Sequence, residues 1–321
     1  MSLFNISLII PTYKRESQVH KIISSIQNQI KNNVRIEILV CDSYSEYNKK
    51  KLKIKKKKLT VKYLNIKKNN LSAKRNYGLQ KSKYKNIILI DDDCIPKKNF
   101  ISSYINDFNK IDNKTILSGI VEYPKRYLIK YNHIKYRDSK HFKKDKFFLR
   151  NLLPDQIVAM NMAFKKSKFI SSLGYFNEKF KGYGFEDHEF AYRYNANGFK
   201  LLKSKASIIH DEGQPNIYMY SKKHYHLGRD GMKNLLRINP KLARTTIYYR
   251  IEKNLFFKIL FYLPYVNKLL SVIEKIIINT DKNTYLNYSF LYDYLRLFSY
   301  IRGYIDRKKT KSGLKVDGWY D

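Results

Sequence analysis

The chain has 321 residues, of which 43% are hydrophobic, and its net charge is +37 from 64 basic and 27 acidic residues. This composition suffices for one large domain or one domain with an extension, and no uninterrupted apolar run is long enough to span a membrane. Two cysteines, Cys41 and Cys94, exclude a disulfide scaffold and lack the spacing of a zinc site, so we expect a reducing compartment. The charge indicates either a polyanionic partner or a lysine-rich codon background.

The first hundred residues alternate between strand-like and helix-like segments. Strands are predicted over 6–10, 36–40, 59–64 and 87–90, the third at a sheet edge. Apolar spacing predicts helices over 17–30 and 71–82, the first with Ser17 as its N-cap. This alternation predicts an α/β fold with a parallel sheet, in which ligands bind beyond the carboxyl ends of the strands.

The strand predicted over 87–90 ends at three consecutive carboxylates, Asp91, Asp92 and Asp93. Adjacent carboxylates repel one another, and each needs a partner when it leaves water. A divalent cation, which prefers oxygen ligands and can bridge carboxylates to phosphates, fits the cluster better than helix capping does. Because the segment 11–15 and Asp42 also follow predicted strands, we expect all three segments to meet in one crevice.

The next hundred residues carry a second group of acids. Strands are predicted over 116–121, 157–164 and 201–209, a loop over 127–148, and a short helix over 166–173. Another helix is predicted to begin near Glu186, where Asp187 and Glu189 also lie in a first turn whose dipole favours negative charge. Two glycines just before it indicate backbone that approaches a ligand. His210, at the end of the last strand, is placed to reach a metal at the first acidic cluster.

From residue 218 onward the chain is predicted to be helical and basic. Residues 255–278 are apolar but interrupted by polar residues and a proline, which is typical of amphipathic helices. Such helices either pack on a core or lie in a membrane interface. The N-terminus has neither the basic region nor the apolar core of a signal peptide, so we expect a cytoplasmic protein, with peripheral contact to the inner membrane face left open.

Five motifs in this order resemble those of the inverting GT-A glycosyltransferases, in particular the bacterial family 2 type. ISLIIPTYKR (6–15) is similar to their first strand and nucleotide loop, ILVCDSYS (38–45) to their second strand, and LSAKRNYGL (71–79) to their Ala-Arg-Asn-x-Gly helix. ILIDDDCIP (88–96) resembles the Asp-x-Asp metal motif. GYGFEDHEF (182–190) resembles a motif of galactosyltransferases and chondroitin-type polymerases, with Tyr183 where Trp is common. The resemblance implies a Rossmann-like, mostly parallel α/β sheet flanked by helices, with a helical C-terminal extension.

The resemblance also implies a role for each matching residue. Asp42 would accept a hydrogen bond from the base, and Asp92 would meet ribose or sugar hydroxyls. The residues that would bind the nucleotide-sugar are Pro11, Thr12, Tyr13, Arg15, Asp42, Arg75, Asp91 and Asp92. The residues that would hold Mn²⁺ or Mg²⁺ are Asp91, Asp93 and His210. Asp187 would be the general base, and Glu186 would bind the acceptor together with Tyr183 and Gly184.

The predicted function is therefore metal-dependent, inverting transfer from a nucleotide-sugar, with a UDP-sugar favoured, to a glycan hydroxyl in capsule or other surface polysaccharide. The acceptor could be acidic or lipid-linked. A catalytic domain is predicted over residues 1–215, with nucleotide binding assigned to residues 1–100 and acceptor binding to residues 101–215. A basic, aromatic extension is predicted over residues 216–321.

Two alternatives stay open. A nucleic-acid-binding protein would use the charge and the many tyrosines, but it leaves the acids at the strand ends unexplained, so nucleic acid is not favoured as a partner. A metal-dependent nucleotidyltransferase would need a glycine- and lysine-rich phosphate loop, and PTYKRES (11–17) is not one.

Overall fold

A computed structural model of the chain describes residues 3–44, 54, 56–141, 149–255, 257, 259, 263–283, 285 and 288–309. The chain divides into two compact units, each assembled from several segments. Unit 1 comprises Met1–Pro124, His141–Glu178 and Glu186–Gly213, and unit 2 comprises Lys125–Lys140, Lys179–Phe185 and Gln214–Asp321. The boundary near residue 215 and the division at residue 100 stay predictions.

The N-terminal portion of unit 1 forms the parallel half of an eight-stranded sheet. Strand β1 (Phe4–Thr12) lies between β2 (Val34–Asp42) and β4 (Asn86–Ile90), and β3 (Leu59–Asn65) is the edge strand beyond β2. The connecting helices are α1 (Glu16–Gln27) and α2 (Leu71–Lys81). These four strands and two helices confirm the predicted elements of this portion.

Both faces of this parallel half are covered, which is why its strands are apolar throughout. Ile6, Leu8 and Ile10 of β1 pack in the same buried cluster as the apolar face of α1. Ile9, on the other face of β1, packs in a second cluster with Leu79 of α2.

The predicted N-cap of α1 is wrong. Arg15 occupies that position, and the Ser17 hydroxyl, one residue inside the helix, donates to Gln18 Oε1 at 2.7 Å.

The remaining strands of unit 1 make the sheet mixed. Strand β7 (Asn161–Lys165) pairs antiparallel with β4 and with β6 (Thr115–Glu122), while β8 (Lys200–His210) runs parallel to β6. At the far edge β5 (Cys94–Pro96) pairs antiparallel with β8, which gives the order β3-β2-β1-β4-β7-β6-β8-β5. The predicted strand over 157–164 starts later than expected, at Asn161. The α/β class with flanking helices is confirmed.

Four helical segments complete the described residues of unit 1. Helix α3 (Phe100–Lys110) packs on the sheet through Phe100, Tyr104 and Phe108. The others are a 3-10 turn (Pro154–Gln156), α6 (Lys168–Leu173) and α7 (Glu186–Asn195). Helix α6 ends at Gly174, whose φ of 77° is readily adopted by glycine. Strand β5 and helix α3 are not among the predicted elements.

Asn161 joins β6, β7 and β8 at the centre of the mixed half, where no space remains beside Gly119. Its side-chain amide donates to the carbonyls of Ile120 at 3.0 Å and Ala206 at 3.1 Å, and its oxygen accepts from the Tyr104 hydroxyl at 2.6 Å. A Cβ at Gly119 would overlap both this amide and the Ala206 carbonyl oxygen.

We therefore expect Gly119→Ala to lower the free energy of unfolding by roughly 1–3 kcal/mol, because the added methyl group overpacks a closed site. Chemical denaturation would measure this loss as a lower midpoint at an unchanged slope. An unchanged midpoint would show that β6 can move away from β7 and β8 at little cost in the free energy of unfolding.

Unit 2 is helical in all its described elements. Its helices are α4 (Lys125–Lys130), α5 (Asn132–Lys140), α8 (Ile217–His226), a π-helical turn (Leu227–Gly231), α9 (Met232–Ile238), α10 (Pro240–Thr245), α11 (Ile247–Lys253), α12 (Pro264–Asn279) and α13 (Ser289–Lys309). For the described residues, the predicted helical character beyond residue 218 is confirmed. The predicted loop over 127–148 is wrong for its first portion, because Tyr136 of α5 is buried in a cluster with Ile277 and Leu295. Residues 142–148 lie outside the described residues.

Candidate active site

The ends of β1 and β4 meet in unit 1. Thr12, the last residue of β1, donates its hydroxyl to Asp92 Oδ2 at 2.8 Å. Arg15 Nη1 lies 3.0 Å from both Asp92 Oδ1 and Asp93 Oδ2. The structure therefore brings the 11–15 segment and the acidic cluster together. Pro11 lies one residue earlier in β1, opposite Cys41 of β2.

Asp92 and Asp93 differ in their electrostatic environment. Burial raises the pKa of Asp92 to about 6, since the attraction of Arg15 and the Thr12 hydrogen bond only partly offset desolvation and the charge of Asp93. Burial also raises the pKa of Asp93, but His210 and Arg15 outweigh it and hold that pKa well below its usual range. Asp93 is thus the more strongly ionised of these two carboxylates.

Asp93, Cys94 and His210 form the group of potential metal ligands found among the described residues, with ligand atoms within 4.8 Å of one another. Antiparallel pairing places Cys94 of β5 opposite His210 of β8. His210 Nε2 lies 3.4 Å from Asp93 Oδ1 and 3.7 Å from Glu212 Oε1. A separation of 3.4 Å suits two ligands of one ion with bonds of about 2.1 Å. Burial raises the pKa of the Cys94 thiol and so disfavours the thiolate that binds metals. The remaining oxygen and nitrogen donors of Asp93 and His210 fit Mn²⁺, with Mg²⁺ the harder alternative.

Asp42 lies at the end of β2, and only one of its two carboxylate oxygens accepts a hydrogen bond. Its Oδ1 accepts from the Tyr44 backbone amide at 2.9 Å, whereas its Oδ2 is buried without a hydrogen-bond partner among the described residues. Burial raises the pKa of Asp42. The rings of Tyr13 and Tyr44 stand edge to face, with centroids 6.0 Å apart, and Lys14 Nζ lies 5.1 Å from each centroid.

Lys74 is a buried member of this region that the sequence analysis does not assign to it. Its ammonium group donates to the Thr12 carbonyl and to Asn69 Oδ1, both at 2.8 Å. Burial lowers the pKa of Lys74 to about 8, although Asp42 and Asp92 oppose this shift. The sequence shows only a lysine beside an arginine on a helix, a pattern that more often marks a solvated face.

Arg75 connects the first acidic motif to the second. It is almost fully buried, and it donates to Asp91 Oδ1 at 2.9 Å and to Glu186 Oε1 at 3.2 Å. Asp91 thus contacts Arg75 rather than the Asp93, Cys94 and His210 group. Burial and the charge of Asp187 raise the pKa of Glu186, while Arg75 lowers it. Asp187 Oδ1 accepts from the His188 amide at 2.9 Å, in the first turn of α7.

Two of the predicted acceptor-binding residues, Tyr183 and Gly184, belong to unit 2. Gly184 has a φ of 98°, and a Cβ there would meet the side chain of Leu227. This position therefore requires glycine for both backbone and space. Tyr183 is partly exposed, with Lys223 Nζ 6.0 Å from its ring centroid.

A family model described as glycosyl transferase family 2 matches residues 7–171, just over half of the chain. The chain belongs to glycosyl transferase family 2. A second model, described as the N-terminal domain of galactosyltransferase, matches residues 146–223 and so covers the motif at the start of α7. Together these matches span the strand ends and the helix start that carry the candidate site.

Among curated relatives, the chain is 28% identical over 230 residues to chondroitin synthase from Pasteurella multocida (strain Pm70), covering 60% of this chain and 23% of the synthase. It is 32% identical over 117 residues to poly(ribitol-phosphate) beta-N-acetylglucosaminyltransferase TarP from Staphylococcus aureus (strain N315), covering 36% of each protein. The chain thus spans 23% of the length of the first relative and 36% of the second.

A solved structure supports the same fold. The mannosyltransferase PcManGT from Pyrobaculum calidifontis, in complex with GDP-Man and Mn²⁺, aligns with a TM-score of 0.57 at 12% identity, over 96% of this chain and 88% of that one. The predicted family and the GT-A fold are therefore confirmed.

Proposed function

We propose that the protein transfers a sugar from UDP-sugar to a glycan hydroxyl, with inversion, in the synthesis of a surface polysaccharide. The main support for the proposal is that Arg75 pairs with both Asp91 and Glu186. This pairing links the acidic cluster proposed to bind the donor to the start of α7. The names of the relatives, a chondroitin synthase and a wall-polymer N-acetylglucosaminyltransferase, support a polysaccharide product.

The open oxygen of Asp42 supports uracil as the base. Uracil presents one imino N–H between two carbonyls, which matches one free, buried carboxylate oxygen. Tyr13 and the other residues of the 11–15 segment would line the same pocket.

We expect wild-type protein to bind UDP more tightly than GDP, and Asp42→Ala to weaken UDP binding roughly tenfold to a hundredfold, as the loss of a hydrogen bond to a charged group implies. GDP affinity should change much less, so the variant should lose its preference. Isothermal titration with both nucleotides in Mn²⁺ measures this. Tighter binding of GDP by the wild type would contradict the uracil assignment.

Asp93 and His210 would hold the divalent cation, with Asp91 contributing to the donor site through its pair with Arg75. When bound, the cation neutralises negative charge on the departing diphosphate. Thr12 and Arg15 orient Asp92 by direct hydrogen bonds, and the Asp92 carboxylate would meet ribose or sugar hydroxyls.

Asp187 would act as the general base. As the acceptor oxygen bonds to the anomeric carbon, its proton passes to the Asp187 carboxylate, and the bond from the anomeric carbon to the diphosphate oxygen breaks. Asp187 lies in the first turn of α7, where the helix dipole favours negative charge. Glu186, fixed by Arg75, would bind the acceptor.

The experiment that tests the whole proposal is a transfer assay with nucleotide-sugars and Mn²⁺, preceded by a thermal-shift screen of the donors. Stabilisation by a UDP-sugar, followed by product with inverted anomeric configuration, is the expected result. Salt-sensitive oligonucleotide binding without any transfer would favour the nucleic-acid alternative.

We also propose that the protein works in the cytoplasm, at the periphery of the membrane.

A further inference from the structure

The exposed apolar side chains of the described residues are concentrated in one stretch of unit 2. Eleven of the seventeen exposed large hydrophobic residues lie between residues 247 and 290. Four of them, Tyr265, Leu269, Val272 and Ile276, follow one another along α12 and are 48% to 88% exposed. No helix within the described ranges is both long and apolar enough to cross a membrane.

These four residues form a continuous stripe on α12, which we call the α12 stripe. At 3.6 residues per turn their spacing places them within roughly 60° of the helix circumference. The opposite side of α12 is packed, because Ile277 is buried in a cluster with Tyr292 and Leu295 and because Glu274 is buried as well. The helix is therefore fixed to unit 2 by one face and presents a different apolar face to solvent.

The exposed charged residues of α12 have one sign. Lys268 and Lys275 are exposed and flank the stripe on one side. Arg250 and Lys253 of α11 are also exposed. These cations follow Ile247, another exposed apolar residue.

Both acids of the segment from residue 247 to residue 279 are buried and paired. Glu252 accepts from the Tyr300 hydroxyl at 2.6 Å and lies 2.8 Å from Arg307. Glu274 accepts from Arg302 at 2.6 Å and from the Ser221 hydroxyl at 2.9 Å. Among the described side chains of this segment, exposed apolar residues and cations therefore face solvent, while both carboxylates are buried.

We infer that the α12 stripe docks on an anionic lipid bilayer, with Tyr265, Leu269, Val272 and Ile276 inserted at the headgroup level and the lysines against lipid phosphates. Apolar insertion and attraction to anionic headgroups are the two terms that hold such helices in an interface. A protein partner with an apolar groove could bind beside exposed carboxylates, so it would not require both carboxylates of this segment to be buried. The inference concerns unit 2 alone and does not depend on which sugar is transferred.

The test is co-sedimentation of the full chain with vesicles of phosphatidylcholine alone or enriched in phosphatidylglycerol, at low and at high salt. The wild type should bind the anionic vesicles and bind them less at high salt. A double variant, Leu269→Asp with Val272→Asp, should bind at least tenfold more weakly. Lys268→Gln with Lys275→Gln should lose roughly fivefold per lysine, from an attraction of about 1 kcal/mol per basic residue near the surface.

The matched control is Ile129→Asp, which changes an exposed apolar residue of α4 and should leave vesicle binding unchanged. Circular dichroism and UDP affinity verify that each variant is folded. Equal binding of the wild type and the stripe double variant, or no binding of the wild type at low salt, would overturn the inference. So would light scattering that shows a dimer dissociated by the stripe double variant, since a second copy would then cover the face. If the protein transfers sugar to a water-soluble acceptor but does not bind vesicles, the membrane contact is refuted and the proposed sugar transfer is not.

Discussion

Asp187→Asn is expected to slow sugar transfer by a factor on the order of 10²–10⁴, which is the contribution typical of a general base. Asparagine has the size and shape of aspartate, and its carbonyl oxygen can still accept from the His188 amide at the start of α7. Nucleotide affinity should stay nearly the same, because the residues proposed to bind the donor lie at the ends of β1, β2 and β4. Steady-state turnover with donor and acceptor, together with UDP titration, measures both effects.

The control for this variant is Asp155→Asn, which removes an exposed carboxylate from the 3-10 turn and should leave turnover intact. Turnover at the wild-type level in Asp187→Asn would refute the assignment and would make Glu186 the candidate base. Loss of UDP binding together with turnover would show instead that the substitution disturbs the donor site.

The meeting of the strand ends could be predicted from the sequence, because it follows from a general property of parallel sheets. Once β1, β2 and β4 are placed side by side, Thr12, Asp42 and the acids after Ile90 must lie along one edge. The register of β1 and β2, with Thr12 opposite Asp42, agrees with this expectation.

The burial of Lys74 and Arg75 could not be predicted, because the partners that make it possible are distant in sequence. Two adjacent cations on a helix ordinarily face water, and their burial needs carboxylates or carbonyls that compensate for lost hydration. For Arg75 those carboxylates are Asp91 and Glu186, the second of which is 111 residues away. Sequence motifs indicated that Arg75 is important, but only the fold shows that it joins two acidic motifs.

The elements absent from the prediction fall into two kinds. Strand β5 has three residues and exists through its pairing with β8, so no local pattern marks it. Helix α3, by contrast, carries a local signal. Phe100, Tyr104 and Phe108 recur at four-residue intervals, which is the spacing of a buried helical face.

Asp93→Ala and His210→Ala are each expected to weaken UDP binding in Mn²⁺ at least tenfold, toward the value measured without metal, while binding in a chelator stays the same. The structural reason is that Asp93 Oδ1 and His210 Nε2, 3.4 Å apart, would hold the same ion, so that either variant removes one ligand. Isothermal titration of UDP with and without Mn²⁺, and the electron paramagnetic resonance signal of bound Mn²⁺, measure affinity and metal occupancy without reference to turnover.

The control for the metal variants is His20→Ala, which removes a histidine of α1 whose Nε2 lies 3.6 Å from Glu16. It should leave the Mn²⁺ dependence as it is in the wild type. Asp93→Ala also releases Arg15 from one of its two carboxylates, so this variant alone could alter the donor site by another route. His210→Ala leaves the Arg15 pairs in place, and agreement between the two variants would therefore assign the effect to the cation. Unchanged Mn²⁺ dependence in both variants would refute the metal site, because no shared ion could then bind between these side chains.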